Sequence, residues 1–135
     1  MKIFPKPGRT SAARTEPRWM EQERARLLAI FEACAAVELA ATLAVDSLAR
    51  RGRKSAPLAR CASVCGETAA QLAGLEVPDP RRVQGALSAT RQACADARAV
   101  CEVHREDALA RRAMMECHRC ERACQQVLGV LELAA

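Results

Sequence analysis

Aromatic residues are nearly missing from this 135-residue chain, which has two Phe, one Trp and no Tyr. β-sheets lean on aromatic and β-branched side chains, so the scarcity argues against a strand-rich fold. It also removes the stacking platforms that single-stranded nucleic acid would need. The net charge of +5 is carried mostly by arginines scattered along the chain, with one local cluster at Arg50-Arg51-Gly52-Arg53-Lys54. Scattered charge describes a solvated surface rather than the concentrated basic face of a nucleic-acid reader. No Gly-rich phosphate loop, nucleophile elbow or facing pair of carboxylates is present, so an enzyme is not expected. The longest apolar stretch, Ala33 to Val45, is interrupted by Glu38 and reads as too short to span a bilayer. The first residues, Met1-Lys2-Ile3-Phe4-Pro5-Lys6-Pro7-Gly8, lack the apolar run of a secretory signal. A soluble cytoplasmic protein with no membrane and no nucleic-acid partner is the expectation.

What the chain does have is Ala, Leu, Val and an unusual number of cysteines. Its length suffices for a hydrophobic core without covalent staples. The eight cysteines, Cys34, Cys61, Cys65, Cys94, Cys101, Cys117, Cys120 and Cys124, are therefore not needed as structural rescue. In a reducing compartment such a set points to metal or redox chemistry before disulfides.

Residues 1 to about 15, rich in Pro, Gly, Ser, Thr and Arg, read as a flexible arm preceding a helical domain over 16–135. Thr15 is placed to cap the first helix, with Pro17 in its first turn. Met20, Arg24, Leu27, Phe31, Cys34, Glu38, Ala41, Val45 and Leu48 then follow at alternating spacings of four and three, which predicts one long helix stopped at Gly52. Ser55-Ala56-Pro57 opens a second helix, whose seam is Leu58, Cys61, Cys65, Thr68, Leu72 and Leu75. Asp79 and Pro80 start a third, with Val83, Leu87, Thr90, Cys94, Ala97, Cys101 and His104 facing inward. Asp107 caps the last helix, with the seam Ala110, Ala113, Cys117, Cys120, Cys124, Val127 and Leu131. Four helices with short connections predict an all-α, antiparallel up-down-up-down four-helix bundle.

Aligned in depth, the seams place an apolar plug (Leu27, Phe31, Leu72, Leu75, Val83, Leu87, Leu128, Leu131) at one end. Toward the other lie Cys101, His104, Met114 and Met115, then Cys61, Cys94 and Cys117, then Cys65, Cys120 and Cys124, with Cys34 and Glu38 deepest. Thiolates and thioethers select soft ions, Cu(I) foremost. Zinc is the alternative ion, though it commonly takes four ligands from turns rather than pairs on straight helices. Glu38 reads as a seam carboxylate, either protonated or fixing register, and Arg24 as a snorkelling residue.

The run Cys101-Glu102-Val103-His104, followed by Met114-Met115-Glu116-Cys117-His118-Arg119-Cys120-Glu121-Arg122-Ala123-Cys124, together with Cys61-xxx-Cys65, resembles the cysteine-rich four-helix-bundle copper-binding family, which includes the bacterial copper storage proteins. The likeness covers about residues 20 to 131. It implies a bundle holding Cu(I) on its inward cysteines, with His104, Met114, Met115 and His118 as accessory ligands near one end, often in a homo-oligomer. Glu38 and Arg98 stand where the family pattern would put further thiols, so a smaller capacity is expected, suited to buffering or sensing. Two other readings stay open. One is a helical interaction module whose cysteines merely fill the core, and the other is a zinc- or redox-sensing bundle.

Overall fold

The computed structural model describes residues 18–74 and 79–134. The expected arm, the Thr15 cap and Pro17, and Leu75 of the plug lie outside these residues. Four helices make up the fold: α1 (Arg18–Arg50), α2 (Ala56–Ala73), α3 (Pro80–Val103) and α4 (Ala108–Ala134). Each packs on its sequence neighbours, and α4 closes the ring on α1, while the diagonal pairs stay apart. The expected four-helix bundle is what forms.

The ends follow from local chemistry. Helix α1 stops before Gly52, whose φ of +72° lies in the left-handed region that only glycine adopts without cost. Asp79 caps α3 by accepting a hydrogen bond from the Arg81 amide at 3.0 Å, and Pro80 supplies a first helical residue that needs no donor. Ser55 holds the N-cap position of α2, but its side chain makes no capping bond. Asp107 caps α4 through the amides of Leu109 and Ala110, at 2.8 and 3.1 Å. The same carboxylate also accepts from Ser47 Oγ at 2.8 Å and lies 3.7 Å from Arg51 Nε, tying the end of α1 to the start of α4.

The core of α1 differs from its expected seam. Ile30, Ala33, Cys34, Val37, Ala40, Ala41, Ala44 and Leu48 are buried, whereas Glu38 is exposed and Phe31 and Val45 are half-buried. Glu38 is thus not an inward carboxylate. A straight helix turns by 3.6 residues, so a strict three-four seam drifts about 20° per heptad, and over this length the drift hands the inner position to Val37. Arg24 is exposed, as expected. The apolar stretch Ala33 to Val45, expected to be too short for a bilayer, lies within α1, which by length and composition alone is long and apolar enough to cross one; its most apolar segment has mean hydropathy 1.9 and is 39% buried within the bundle.

Leu27, Val83, Leu87, Leu128 and Leu131 form the buried plug, with Phe31 and Leu72 packed at its margin. Burying each such side chain contributes on the order of 1.5–3 kcal/mol. The opposite end is also sealed, since Leu48 and Leu58 are almost wholly excluded from water.

Candidate metal centre

All eight cysteines lie in the interior at 0% exposure and are unpaired as disulfides. Helix geometry accounts for this. Cys61 and Cys65 on α2, and Cys117, Cys120 and Cys124 on α4, repeat at three- and four-residue steps, so each set keeps to one face. Cys94 and Cys101 do the same on α3, and Cys34 is the single thiol of α1.

The four walls bring these sulfurs together. Cys61 Sγ lies 3.8 Å from Cys94 and 3.9 Å from Cys117. Cys65 lies 3.8 Å from Cys94, and Cys34 lies 3.8 Å from Cys120. Two sets of three have all their sulfurs within 4.8 Å of one another: Cys34, Cys65 and Cys120, and Cys61, Cys65 and Cys94. Both could hold a metal ion, and both use Cys65. An ion bonded to three sulfurs at about 2.3 Å requires sulfur–sulfur edges of roughly 4 Å, so the sites need little rearrangement to close on a soft ion. Cys34 joins the layer of Cys65 and Cys120 rather than lying beneath it. Its partners come from α2 and α4, which flank α1 in the ring.

Proton affinities within the cluster are uneven. Cys120 is pulled well below the usual thiol value because a thiolate there accepts hydrogen bonds from Cys124 first, then Cys34, Cys65 and Cys94. Cys61 is pulled down similarly by Cys117, Cys65 and Cys94. Cys34, Cys65, Cys94, Cys117 and Cys124 are all raised, in each case first by hydrogen bonding to a neighbouring cysteine. Cys101 is pushed up to about 11, mainly by burial. It stands one step apart, and neither three-sulfur set includes it.

Below the sulfur band Thr68 and Thr90 continue the α2 and α3 stripes. Their hydroxyls are 2.8 Å apart and satisfy each other in a buried setting, forming a polar floor above the leucine plug. Their seam positions were legible in the sequence; their pairing was not, because it joins different helices.

Compared with known proteins, the chain matches no family model, no curated protein and no solved structure. The site must therefore be read from its own geometry.

Neither of the two histidines expected as accessory ligands belongs to a three-sulfur set. His104 terminates α3, half-buried, with Nδ1 3.1 Å from an Arg53 guanidinium nitrogen. Met114 is half-buried against the core, and Met115 is 60% exposed. His118 is exposed and lines an open groove between α3 and α4 with Arg91, Arg98, Glu121 and Arg122. One residue after Cys117 is about 100° around the helix, which carries His118 outward. Arg98, which occupies the place of a further thiol, instead pairs with Glu121 at 2.6 Å on the same surface.

Sequence reasoning missed the relation between Glu38 and Gly66. A Cβ built on Gly66 falls 2.6 Å from Glu38 Oε2, so the carboxylate leans over the glycine on the outside of the α1–α2 wall. Cys34 and Cys65 are on those same two helices, one turn and one residue away. The only sequence signal was a glycine inside an otherwise helical pattern directly after Cys65.

Proposed function

We propose that this chain is a cytoplasmic, non-catalytic Cu(I)-binding bundle that sequesters or buffers copper, as its resemblance to the cysteine-rich copper-binding bundles implies. The observation that carries the reading is the pair of buried three-sulfur sets joined through Cys65. Three soft ligands in a dry interior suit Cu(I), whereas structural zinc takes four ligands in a tetrahedron. Iron–sulfur clusters are likewise held by four ligands, and these cysteines sit mid-helix in sets of three.

Loading exchanges thiol protons for metal, so it releases protons and favours sites where a thiolate is already stabilised. Cys120 belongs to one three-sulfur set and Cys61 to the other. Each set thus contains one thiol primed to ionise first. The thiol of Cys65, shared by both, would bridge two ions.

Anaerobic titration of the reduced protein with Cu(I), against a chelator of known affinity, tests the reading. Tight binding is expected, with Cys65→Ser weakening it by about a hundredfold or more, since even residues one step removed from a metal commonly matter by 10–100-fold. A thousandfold excess of free copper over Kd should stabilise the fold by about 4 kcal/mol. A thermal midpoint indifferent to Cu(I), with affinity no better than a variant carrying Ser at 61, 65, 117, 120 and 124, would leave the cysteines as core packing. Preferential retention of zinc over copper would instead favour a zinc-binding bundle.

A further inference from the structure

The outer side of the α3–α4 wall carries a hollow that the sulfur chemistry does not use. It is an open groove of about 290 Å³, lined on α3 from Arg91 to Arg98 and on α4 from His118 to Gln125. Each of those segments covers about two helical turns, so the groove runs for about 10 Å. Ala95 is the one short side chain in the lining. It lies between Arg91 and Arg98 on the same face of α3, which leaves the middle of the groove unfilled.

Three guanidiniums, of Arg91, Arg98 and Arg122, line the groove against one carboxylate, that of Glu121. The carboxylate is already engaged. Both its oxygens accept from Arg98, at 2.6 Å from Nε and 3.1 Å from Nη2. Gln125 Oε1 accepts from Arg91 Nη1 at 2.9 Å. Asp96, next to Ala95, is taken up by Arg60 and Gln92. These bonds hold Arg91 and Arg98 in place, yet Arg91 Nη2 and Arg98 Nη1 have no acceptor among the described residues. Arg122 and His118, one turn apart on α4 and both exposed, make no hydrogen bond or ion pair among those residues. A guanidinium fixed at one edge keeps its other edge as a planar fork for an oxyanion. Because it is ordered beforehand, it loses less freedom when a ligand arrives.

We infer that this groove binds a small anion carrying two or more oxyanion groups, of the polycarboxylate or phosphate kind. The free edges of Arg91 and Arg98 hold one oxyanion group each, and Arg122 reaches the ligand from α4. At roughly 30 Å³ for each water, the groove has the volume of about ten water molecules, which suits a ligand of that size and not a folded partner. No aromatic side chain lines it, so it offers bases no stacking platform. The groove is on the outside of the wall, and the proposal stands whether or not the cysteines bind metal.

Isothermal titration calorimetry of the reduced full-length protein with citrate and with pyrophosphate, in about 0.1 M chloride to screen non-specific attraction, tests it. One-to-one binding with Kd below about 1 mM is expected for at least one of the two. Binding of only one supports the site and says whether carboxylate or phosphate is its chemistry. Arg122→Gln breaks no bond of the native fold and should weaken binding about tenfold, as loss of a charge-assisted hydrogen bond does. Ala95→Leu keeps every charge but fills the hollow, and should weaken binding at least as much. Arg82→Gln removes the same charge from an exposed position on α3 outside the groove, and should bind as the wild type does. Circular dichroism checks that each variant keeps its helices. Neither anion bound at about 10 mM, equal losses in Arg82→Gln and Arg122→Gln, or a folded Ala95→Leu variant that binds like the wild type would each overturn the proposal.

Discussion

Helices α1 and α4 are adjacent walls of one interior, yet they contribute to it on opposite terms. Helix α4 brings three thiols to the sulfur band, and much of its outer surface carries exposed Arg and Gln. Helix α1 brings one thiol among Ala33, Val37, Ala40, Ala41 and Ala44, and its outer surface shows leucines to water. The difference teaches that ligand chemistry and packing are separable here. An alanine-lined wall leaves room for sulfur projecting from the opposite side, while its length and apolar faces hold the bundle together.

The largest test of that contrast lies in the two cysteines that meet across the α1–α4 boundary. Cys34 and Cys120 touch each other at 3.8 Å and belong to the same three-sulfur set. Only Cys120 is set up as a thiolate, because Cys124, Cys34 and Cys65 all direct hydrogen bonds to it. Cys120→Ser should therefore weaken Cu(I) binding by about a hundredfold, and Cys34→Ser by about tenfold, in competition titrations at fixed pH. Equal losses would mean that the walls are chemically equivalent and that hydrogen bonding within the cluster does not set the order of loading.

A smaller effect is expected where the same two helices are tied by polar contacts. The Asp107 carboxyl is held below its ordinary value of 3.8, first by the Ser47 hydroxyl, then by the amides of Ala110 and Leu109 and by Arg51, against the opposing cost of burial. A carboxylate whose folded value is depressed contributes stability above its unfolded value and loses it as pH falls through the folded one. Asp107→Ala should then cost about 1–2 kcal/mol at neutral pH, as for loss of a helix cap. In urea melts the gap between wild type and variant should narrow as the pH drops below 3.8. A gap that stays constant down to the acid limit would show that the side chain only fills space.

How much of this was legible depends on whether the information was local. Asp79, Pro80, Gly52 and Asp107 act within a few residues of themselves, so the helix ends could be read directly. The inward placement of every cysteine was also legible, because i+3 and i+4 spacing survives whatever the helix packs against. The phase of α1 was not. With Ala on most sides, both Val37 and Glu38 fitted a seam, and only packing between α2 and α4 decides for Val37. The choice of sulfur partners was equally hidden: that Cys65 stands in both three-sulfur sets depends on the relative heights of α1, α2, α3 and α4, which loop lengths fix only to about a turn. His118 shows the same limit from the other side, since its place beside Cys117 in sequence is a place outside the bundle in space.

The smallest expected effect probes the α1–α2 wall next to Cys34 and Cys65. Replacing a helical glycine by alanine stabilises a helix by about 1 kcal/mol when nothing obstructs the new methyl group. At Gly66 the Cβ meets Glu38 Oε2 at 2.6 Å and Cδ at 3.0 Å, but this obstacle is the far end of an exposed, flexible side chain. Gly66→Ala should accordingly displace the carboxylate into water and gain less than the full propensity term, between zero and about 1 kcal/mol in thermal or urea unfolding. In a Glu38→Ala background the obstacle is gone, so the same substitution should gain more. The Cu(I) affinity should stay unchanged in both cases, because the methyl group lies outside the wall. A destabilising Gly66→Ala that remains so without Glu38 would mean that the glycine keeps the two helix backbones close. The thin α1 wall would then depend on that contact to hold Cys34 within reach of Cys65.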